Sequence, residues 1–263
     1  MAQRRIYSDL PLIQMNDDKS CAQYGALAQI YDKVMSFLSY NSWFDLILKI
    51  CSQNGLKKDA KILELGAGTG TLGKKLSESE FSYQGCDLSF EMAQIAKNKG
   101  LDFVCADCRN LPFNTKFDLL LFLFDGINYI FEAEGFTQTF EEAHRVLADG
   151  GLFLFDITTQ TNSKTYFTNY REALSGEDFT YIRESYYDEK NCIQHNDFDI
   201  YLRQEDGNYG RFKEKHRQKV RKVEEIAAFI PKNLFDTVGI WGDFEQTLYN
   251  KKSERVHFLL RKK

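Results

Sequence analysis

The chain has 263 residues, enough for one sizeable α/β domain with an inserted element, and its 22 phenylalanines and 14 tyrosines can fill a substantial core. A net charge of −4 excludes a polycationic protein, and no apolar run approaches the roughly 18 residues that a membrane span requires. The six cysteines, Cys21, Cys51, Cys86, Cys105, Cys108 and Cys192, are scattered and lie mostly in apolar segments, as suits reduced core thiols.

Residues 1–18 carry Arg4 and Arg5 but neither a long apolar segment after them nor a small-residue cleavage site, which reads as a cytosolic start and a cytoplasmic protein. Over 20–54, Ala22, Leu27, Ile30, Tyr31, Val34, Met35 and Leu38 recur at helical spacing, and Trp43, Phe44, Ile47, Leu48 and Cys51 continue on a second helix. From Lys61 the pattern alternates. Strands are predicted at 61–67, 82–88, 102–107, 117–124 and 150–157, with helices near 70–78, 89–99 and 133–147. Short apolar strands separated by helices imply a parallel sheet covered on both faces, and right-handed crossovers make it doubly wound.

After Thr158 the texture changes to period two. Turn residues at 188–191 and 206–208 divide it into three strands, predicting a three-stranded antiparallel meander inserted into the α/β domain. A short helix at 223–230 is stopped by Pro231, and two strands, 237–244 and 254–262, close the chain as a hairpin on the sheet edge.

The loop after the first strand holds Gly66, Gly68 and Gly70, and in a doubly wound sheet that loop binds ligand. The spacing is G-x-G-x-G, not the G-x-G-x-x-G that places a pyrophosphate on a helix N-terminus. Glu64, two residues before the loop, disfavours a phosphate and is compatible with a cationic ligand. Asp87 ends the next strand, where a carboxylate can accept from both hydroxyls of a ribose, at roughly 1.5–3 kcal/mol per bond. Asp107 ends the third and could accept from an exocyclic adenine amine. Three acids at three successive strand ends suit an adenosyl sulfonium better than a pyrophosphate. Cys105 and Cys108 form a C-x-x-C, but no second pair or histidine follows at zinc spacing, and the motif closes a strand, so no metal is expected.

Glu64–Gly70, Asp87, Asp107, the stretch 117–121 and the turn 145–151 together resemble the successive motifs of class I S-adenosylmethionine-dependent methyltransferases, over about residues 60–157. The stretches 24–32 and 40–43, the Asp125-Gly-Ile-Asn128-Tyr129 run and the segment 214–218 are similar to a small-molecule subgroup that includes glycine or sarcosine and amino-sugar N-methyltransferases. Gly126 stands where that subgroup usually has Ser. The resemblance implies a seven-stranded, mostly parallel Rossmann-like sheet. It implies a helical lid over 1–55, a cofactor domain over 56–160 and 222–263, and an inserted sheet over 161–221 acting as substrate cap or dimer contact. It implies S-adenosylmethionine as cofactor. Gly66, Gly68 and Gly70 would lie under its methionine and ribose, Asp87 on the diol, Leu88 against the adenine, Asp107 and Cys108 at the adenine edge, and Leu123 below the sulfonium, with Met92 and Glu64 also among the cofactor-binding residues. Tyr31, Tyr40 and Trp43 would cover it; helix packing is the alternative for Tyr40 and Trp43.

A sulfonium methyl is already electrophilic, so the protein's work is orientation, with a base only where the nucleophile arrives protonated. Alternation over 211–221 puts Phe212, Glu214, His216, Gln218 and Val220 on one face and Arg211, Lys213, Lys215, Arg217, Lys219 and Arg221 on the other. His216 is the first candidate for a base or substrate-orienting group, with a histidine bonded within the sheet as the alternative; His195 is second. Asp125 and Asn128 are candidates past the fourth strand, with loop capping as the alternative. The basic face could bind nucleic acid or could be a solvated face neutralised by Glu184, Asp197 and Asp199. With no N-P-P-Y-like stretch, a small polar, amine-bearing acceptor ranks above RNA or another anionic macromolecule. A nicotinamide-dependent oxidoreductase and a non-catalytic cofactor-binding protein are the rivals from other classes. A monomer or homodimer is expected, without a membrane partner.

Overall fold

The computed structural model describes residues 19–20 and 22–263. The segment read as a cytosolic start and Cys21 lie outside the described residues. In chain order the elements are β1 (Lys19–Ser20), α1 (Ala26–Val34), α2 (Asn41–Gln53), β2 (Lys61–Leu65), α3 (Thr71–Ser77), β3 (Ser82–Asp87), α4 (Phe90–Asn98), β4 (Phe103–Cys105), β5 (Phe117–Phe122), a 3-10 turn (Gly126–Tyr129) and α5 (Ala133–Val146). They continue with β6 (Leu147–Thr158), α6 (Gln160–Tyr166), β7 (Tyr170–Ser175), β8 (Phe179–Asp188), β9 (Ile193–Arg203), β10 (Tyr209–Lys219), α7 (Val223–Phe229), β11 (Phe235–Gly242) and β12 (Arg255–Lys262). No helix among the described residues is long and apolar enough to cross a membrane.

The main sheet has seven strands in the order β11-β12-β6-β5-β2-β3-β4. It is parallel from β6 to β4, and β12 enters antiparallel to both neighbours. The sequence dictates this centre. Leu119, Leu120 and Leu121 of β5 are fully buried on both faces, which only a central strand covered by helices permits. Each such side chain contributes about 1.5–3 kcal/mol on burial. The chain leaves β2 toward β3 on one side and later adds β5 on the other, so a crevice opens beyond the ends of these strands.

The second sheet runs β1-β10-β9-β8-β7. Besides the three expected strands it has β7, antiparallel to β8, and the two-residue β1, parallel to β10. β7 escapes a period-two reading because Glu172 occupies one of its inward positions and is buried, accepting from the Tyr170 hydroxyl at 3.0 Å. The inner face of this sheet packs Leu174, Phe179, Tyr181 and Ile200 against Ala26, Leu27, Ile30 and Val34 of α1. Its outer cations are ion-paired in part, Arg211 to Asp199 at 2.9 Å and Arg217 to Asp197 at 2.5 Å. Arg221 departs from the expected basic face. The strand ends at Lys219, alternation lapses, and Arg221 turns inward over the Phe136 ring to donate to the carbonyls of Ile130 and Phe131.

One buried carboxylate ties this sheet to α1. The first N–H groups of a helix need acceptors from outside it, and no side chain at the cap of α1 supplies one. Glu214 of β10 does: its Oε1 accepts from Ala26 N at 2.7 Å and Leu27 N at 2.8 Å, and its Oε2 from Tyr24 N at 2.8 Å. Tyr24 thereby holds a left-handed backbone, φ 61°, that a bulky residue rarely adopts. Burial pushes the Glu214 carboxyl up, but His216 and these N–H groups outweigh it and hold the pKa below the ordinary value. A depressed carboxyl pKa contributes stability above the ordinary glutamate range, and that stability is lost as pH falls through the folded value. Glu214→Ala is expected to cost about 3–5 kcal/mol in a urea titration, as loss of one partner of a buried pair does. Asp197→Ala, which breaks a partly exposed pair, is expected to cost less than about 1 kcal/mol. Equal losses would contradict this assignment.

Candidate active site

The glycine loop leaves β2 with Gly66, Gly68 and Gly70 all at positive φ. Two of them have different reasons. At Gly68 (φ 57°) a Cβ would meet nothing within 4 Å, so the loop is open toward the crevice there. At Gly70 (φ 75°) a Cβ would come within 2.4 Å of Leu101 Cδ1, so this glycine serves the packing of α3 on α4. The loop is pinned from above by α1: Asp32 accepts from Thr69 Oγ1 at 2.5 Å and pairs with Lys99 at 2.6 Å.

Beyond these strand ends lies a cavity of about 1000 Å³. Of the residues singled out in the sequence, Tyr31, Gly66, Gly68, Asp87, Leu88, Met92, Asp107, Cys108 and Leu123 line it. Asp87 is fixed at its wall by N–H bonds from Gly68 at 2.8 Å and Ser89 at 2.9 Å. Burial raises its pKa against the pull of those bonds. Asp107 is bound by the Arg109 guanidinium at 2.5 Å, which holds its carboxyl below the ordinary value. Burial pushes the Cys108 thiol up to about 11, and its sulfur sits 3.7 Å from the Thr139 hydroxyl, while Cys105 points to the Leu88 carbonyl. Leu88 and Phe90 stand 67% and 63% exposed at the rim, apolar surface that a planar base would cover.

Tyr40, Trp43, Glu64 and Gly70 do not line the cavity; they sit one layer behind it. Trp43 stacks on the cavity residue Phe124 with ring centroids 4.1 Å apart, and Tyr40 approaches the same ring at 5.1 Å. Phe124 and Asp125 are consecutive left-handed residues, φ 57° and 53°, at the turn after β5. Asp156, fully buried near the end of β6, accepts from Asp125 N at 2.6 Å, Phe124 N at 3.3 Å and the Trp43 indole at 3.3 Å. Arg255 closes the group, 3.0 Å from Asp156 and 2.7 Å from Asp125. Two such residues cost roughly 1–3 kcal/mol each and persist because this cluster over-determines them.

His216, Asp125 and Asn128 also stand off the cavity. Asn128 is buried, donating to the Lys219 carbonyl at 2.9 Å and accepting from Thr158 N at 3.2 Å, and so clamps β10 to β6. Asp125 is engaged by Arg255 and by Gln218 at 2.5 Å. His216 lies between Glu214, at 3.0 Å, and the Tyr129 hydroxyl, at 3.4 Å. None of the cavity-lining residues belongs to β7–β10, so the inserted sheet backs α1 and does not itself form the wall. Instead Tyr24, Tyr31, Phe124 and Tyr129 form an aromatic end beside Leu123. Phe124 and Asp156 escaped the sequence reading, and Tyr129 entered it only as part of the 125–129 run, without a role; Asp156 carried a signal, one acid near the end of an otherwise apolar strand.

Residues 62–151 match the family described as "Methyltransferase domain". The chain is 30% identical over 247 residues to "Putative methyltransferase YqeM" of Bacillus subtilis (strain 168), covering 91% of this chain and 97% of that protein. It is 28% identical over 246 residues to another protein described as a putative methyltransferase, from Geobacillus sp. (strain WCH70), covering 91% of this chain and 99% of that protein. Among solved structures, an S-adenosylmethionine-dependent methyltransferase from Clostridium acetobutylicum ATCC 824 superposes with a TM-score of 0.75 at 27% identity, over 90% of this chain and 98% of that one.

Glu64 adds a titration to the site. It is buried beneath the loop with the Tyr83 hydroxyl donating at 2.7 Å. Burial raises its pKa from 4.5 to about 7, with the Asp87 charge adding to the rise and the Tyr83 bond opposing it. A raised carboxyl pKa contributes stability that is complete below the ordinary value and lost as pH rises through the folded one. Wild type is therefore expected to lose stability relative to Glu64→Gln between 4.5 and about 7, at up to about 1.4 kcal/mol per pH unit. Denaturant unfolding of both proteins across that range checks this; parallel curves would contradict it.

Proposed function

The chain belongs to the class I S-adenosylmethionine-dependent methyltransferases, and on that premise we propose that it methylates a small polar acceptor bearing an amine, at the aromatic end of the cavity. The observation that carries this is one continuous cavity. It runs from Asp87 and Leu88, past Gly66 and Gly68, to Leu123 and the aromatic end. The cofactor fits these residues: an open glycine, a fixed carboxylate and an uncovered apolar rim follow one another along the strand ends.

Bound there, S-adenosylmethionine supplies an electrophilic methyl group on a cationic sulfur. Asp87 would accept from the ribose diol, Leu88 and Met92 would pack on the adenine, and Asp107 and Cys108 would lie at its edge. Gly66 and Gly68 would admit the methionine moiety. The faces of Tyr24, Tyr31 and Tyr129 attract cations by about 0.5–2 kcal/mol each, which suits both a sulfonium and an ammonium acceptor. Of the lid expected over 1–55, the described part, residues 22–55, covers the cavity through α1. The inserted sheet over 161–221 holds that lid in place, and 56–160 with 222–263 form the cofactor domain. Holding the acceptor nitrogen in line with the methyl–sulfur bond supplies the larger part of the rate, of order 7–11 kcal/mol. Ion pairing of Arg211 and Arg217 supports a small molecule over a nucleic acid.

Asp87→Ala is expected to weaken S-adenosylhomocysteine binding at least tenfold, about 1.4 kcal/mol, in isothermal calorimetry; unchanged affinity would overturn the ribose placement. In a screen with methyl-labelled cofactor, label is expected in small primary or secondary amines. Label found only in RNA would overturn the acceptor class.

A further inference from the structure

Tyr24 and Tyr129 line the aromatic end of the cavity with their hydroxyls 2.7 Å apart. Behind them the contacts continue inward, from Tyr129 to His216 Nδ1 at 3.4 Å and from His216 Nε2 to Glu214 Oε2 at 3.0 Å. The chemistry of Glu214 fixes the direction of the innermost link, and the neutral imidazole sets the rest. Its carboxylate accepts three backbone N–H bonds and is held ionised, so it can only accept from His216. Nε2 therefore carries a proton, and in the neutral imidazole that leaves Nδ1 as the lone pair facing Tyr129. Tyr129 donates to Nδ1, its oxygen accepts from Tyr24, and the Tyr24 oxygen presents an acceptor lone pair to the cavity. The Tyr129–His216 contact is long for a hydrogen bond, as catalytic contacts often are before substrate packs against them.

Resting on the methyl-transfer reading above, the geometry points to Tyr24 and Tyr129 as the groups that carry a proton from a cationic amine acceptor to His216. An ammonium has no lone pair, so one N–H must break before attack. That proton goes to the Tyr24 oxygen as the Tyr24 proton passes to Tyr129 and the Tyr129 proton to His216 Nδ1. Both phenols end neutral, and an imidazolium is left beside the Glu214 carboxylate. The freed nitrogen lone pair then takes the methyl carbon as the carbon–sulfur bond breaks, giving a methylated ammonium and a neutral thioether. Discharging the acceptor first also removes the repulsion between two cations in one cavity. Burial lifts both phenols above their ordinary range, so they stay protonated at rest and relay a proton instead of storing one.

The backbone supports the same path. Glu214 fixes the Tyr24 N–H, and the Ser89 hydroxyl donates to the Tyr24 carbonyl at 3.2 Å. The carboxylate that orients His216 thus also places the first hydroxyl of the chain.

The test uses the full-length protein with ¹⁵N-labelled histidine, saturated with S-adenosylhomocysteine, and His216 assigned by its loss in His216→Gln. The expected result is a neutral His216 protonated on Nε2, with an Nδ1 resonance that moves toward that of an unbonded lone pair in Tyr129→Phe. An Nδ1-protonated tautomer, or an Nδ1 resonance indifferent to Tyr129→Phe, would overturn the relay. Turnover of a primary amine should fall about 10²-fold in kcat in both Tyr129→Phe and His216→Gln. The double variant should lose no more than either, because links of one chain are not additive; losses that multiply would overturn it. A wild-type protein that does not retain S-adenosylhomocysteine would overturn the site reading itself, and the relay with it.

Discussion

A single carboxylate, Glu214, holds the two halves of this molecule in their working relation. It comes from the second sheet and accepts the N–H groups that open α1, and α1 is the layer between that sheet and the cavity. Few arrangements could place a charge at such a depth. It survives because its lone pairs meet donors in fixed positions, which is what makes a buried ionised group tolerable. Through this contact an inserted sheet that touches none of the cavity still determines where Tyr24 and Tyr31 stand above it. The other end of α1 is fastened by Asp32 to the glycine loop and to Lys99, so the helix is tied at two points on opposite sides of the crevice.

A second buried carboxylate does for the floor what Glu214 does for the roof. Asp156 holds the left-handed Phe124–Asp125 turn, and Arg255 brings in the C-terminal strand β12 to balance the charge. Roof and floor meet through Gln218, which donates to Asp125 from the same strand that carries Glu214 and His216. The polar row on β10 is therefore used along its length: Glu214 on α1, His216 on Tyr129, Gln218 on the floor. Two buried acids thus fix backbone on either side of the aromatic end of the cavity.

The α/β sheet was legible because its signals are local. Leu119–Leu121 can belong only to a central strand, and the loop 66–70 with Asp87 marks strand ends by spacing alone, whereas β4 stops at Cys105, two residues short of the Asp107 expected to end it. Alternation over 211–220 placed Glu214, His216 and Gln218 on the inward face. What alternation cannot reveal is what such a row faces. Glu214 meets residues 187–190 positions away, and Asn128 bonds a carbonyl 91 positions on, so neither partner leaves a trace in its own neighbourhood. The same applies to Trp43, whose helical spacing is satisfied equally by a cavity wall or by the layer behind Phe124 that it occupies. β7 was hidden by Glu172 at an inward position, a buried acid that interrupts the apolar pattern on which strand reading depends.

The most direct measurement is a crystal structure of the protein with S-adenosylhomocysteine. The account expects the ribose hydroxyls on Asp87, the homocysteine chain across Gly66 and Gly68, and the sulfur turned toward the Tyr24–Tyr129 pair. A ligand seated outside this crevice, or one whose sulfur faces away from the two tyrosines, would contradict it.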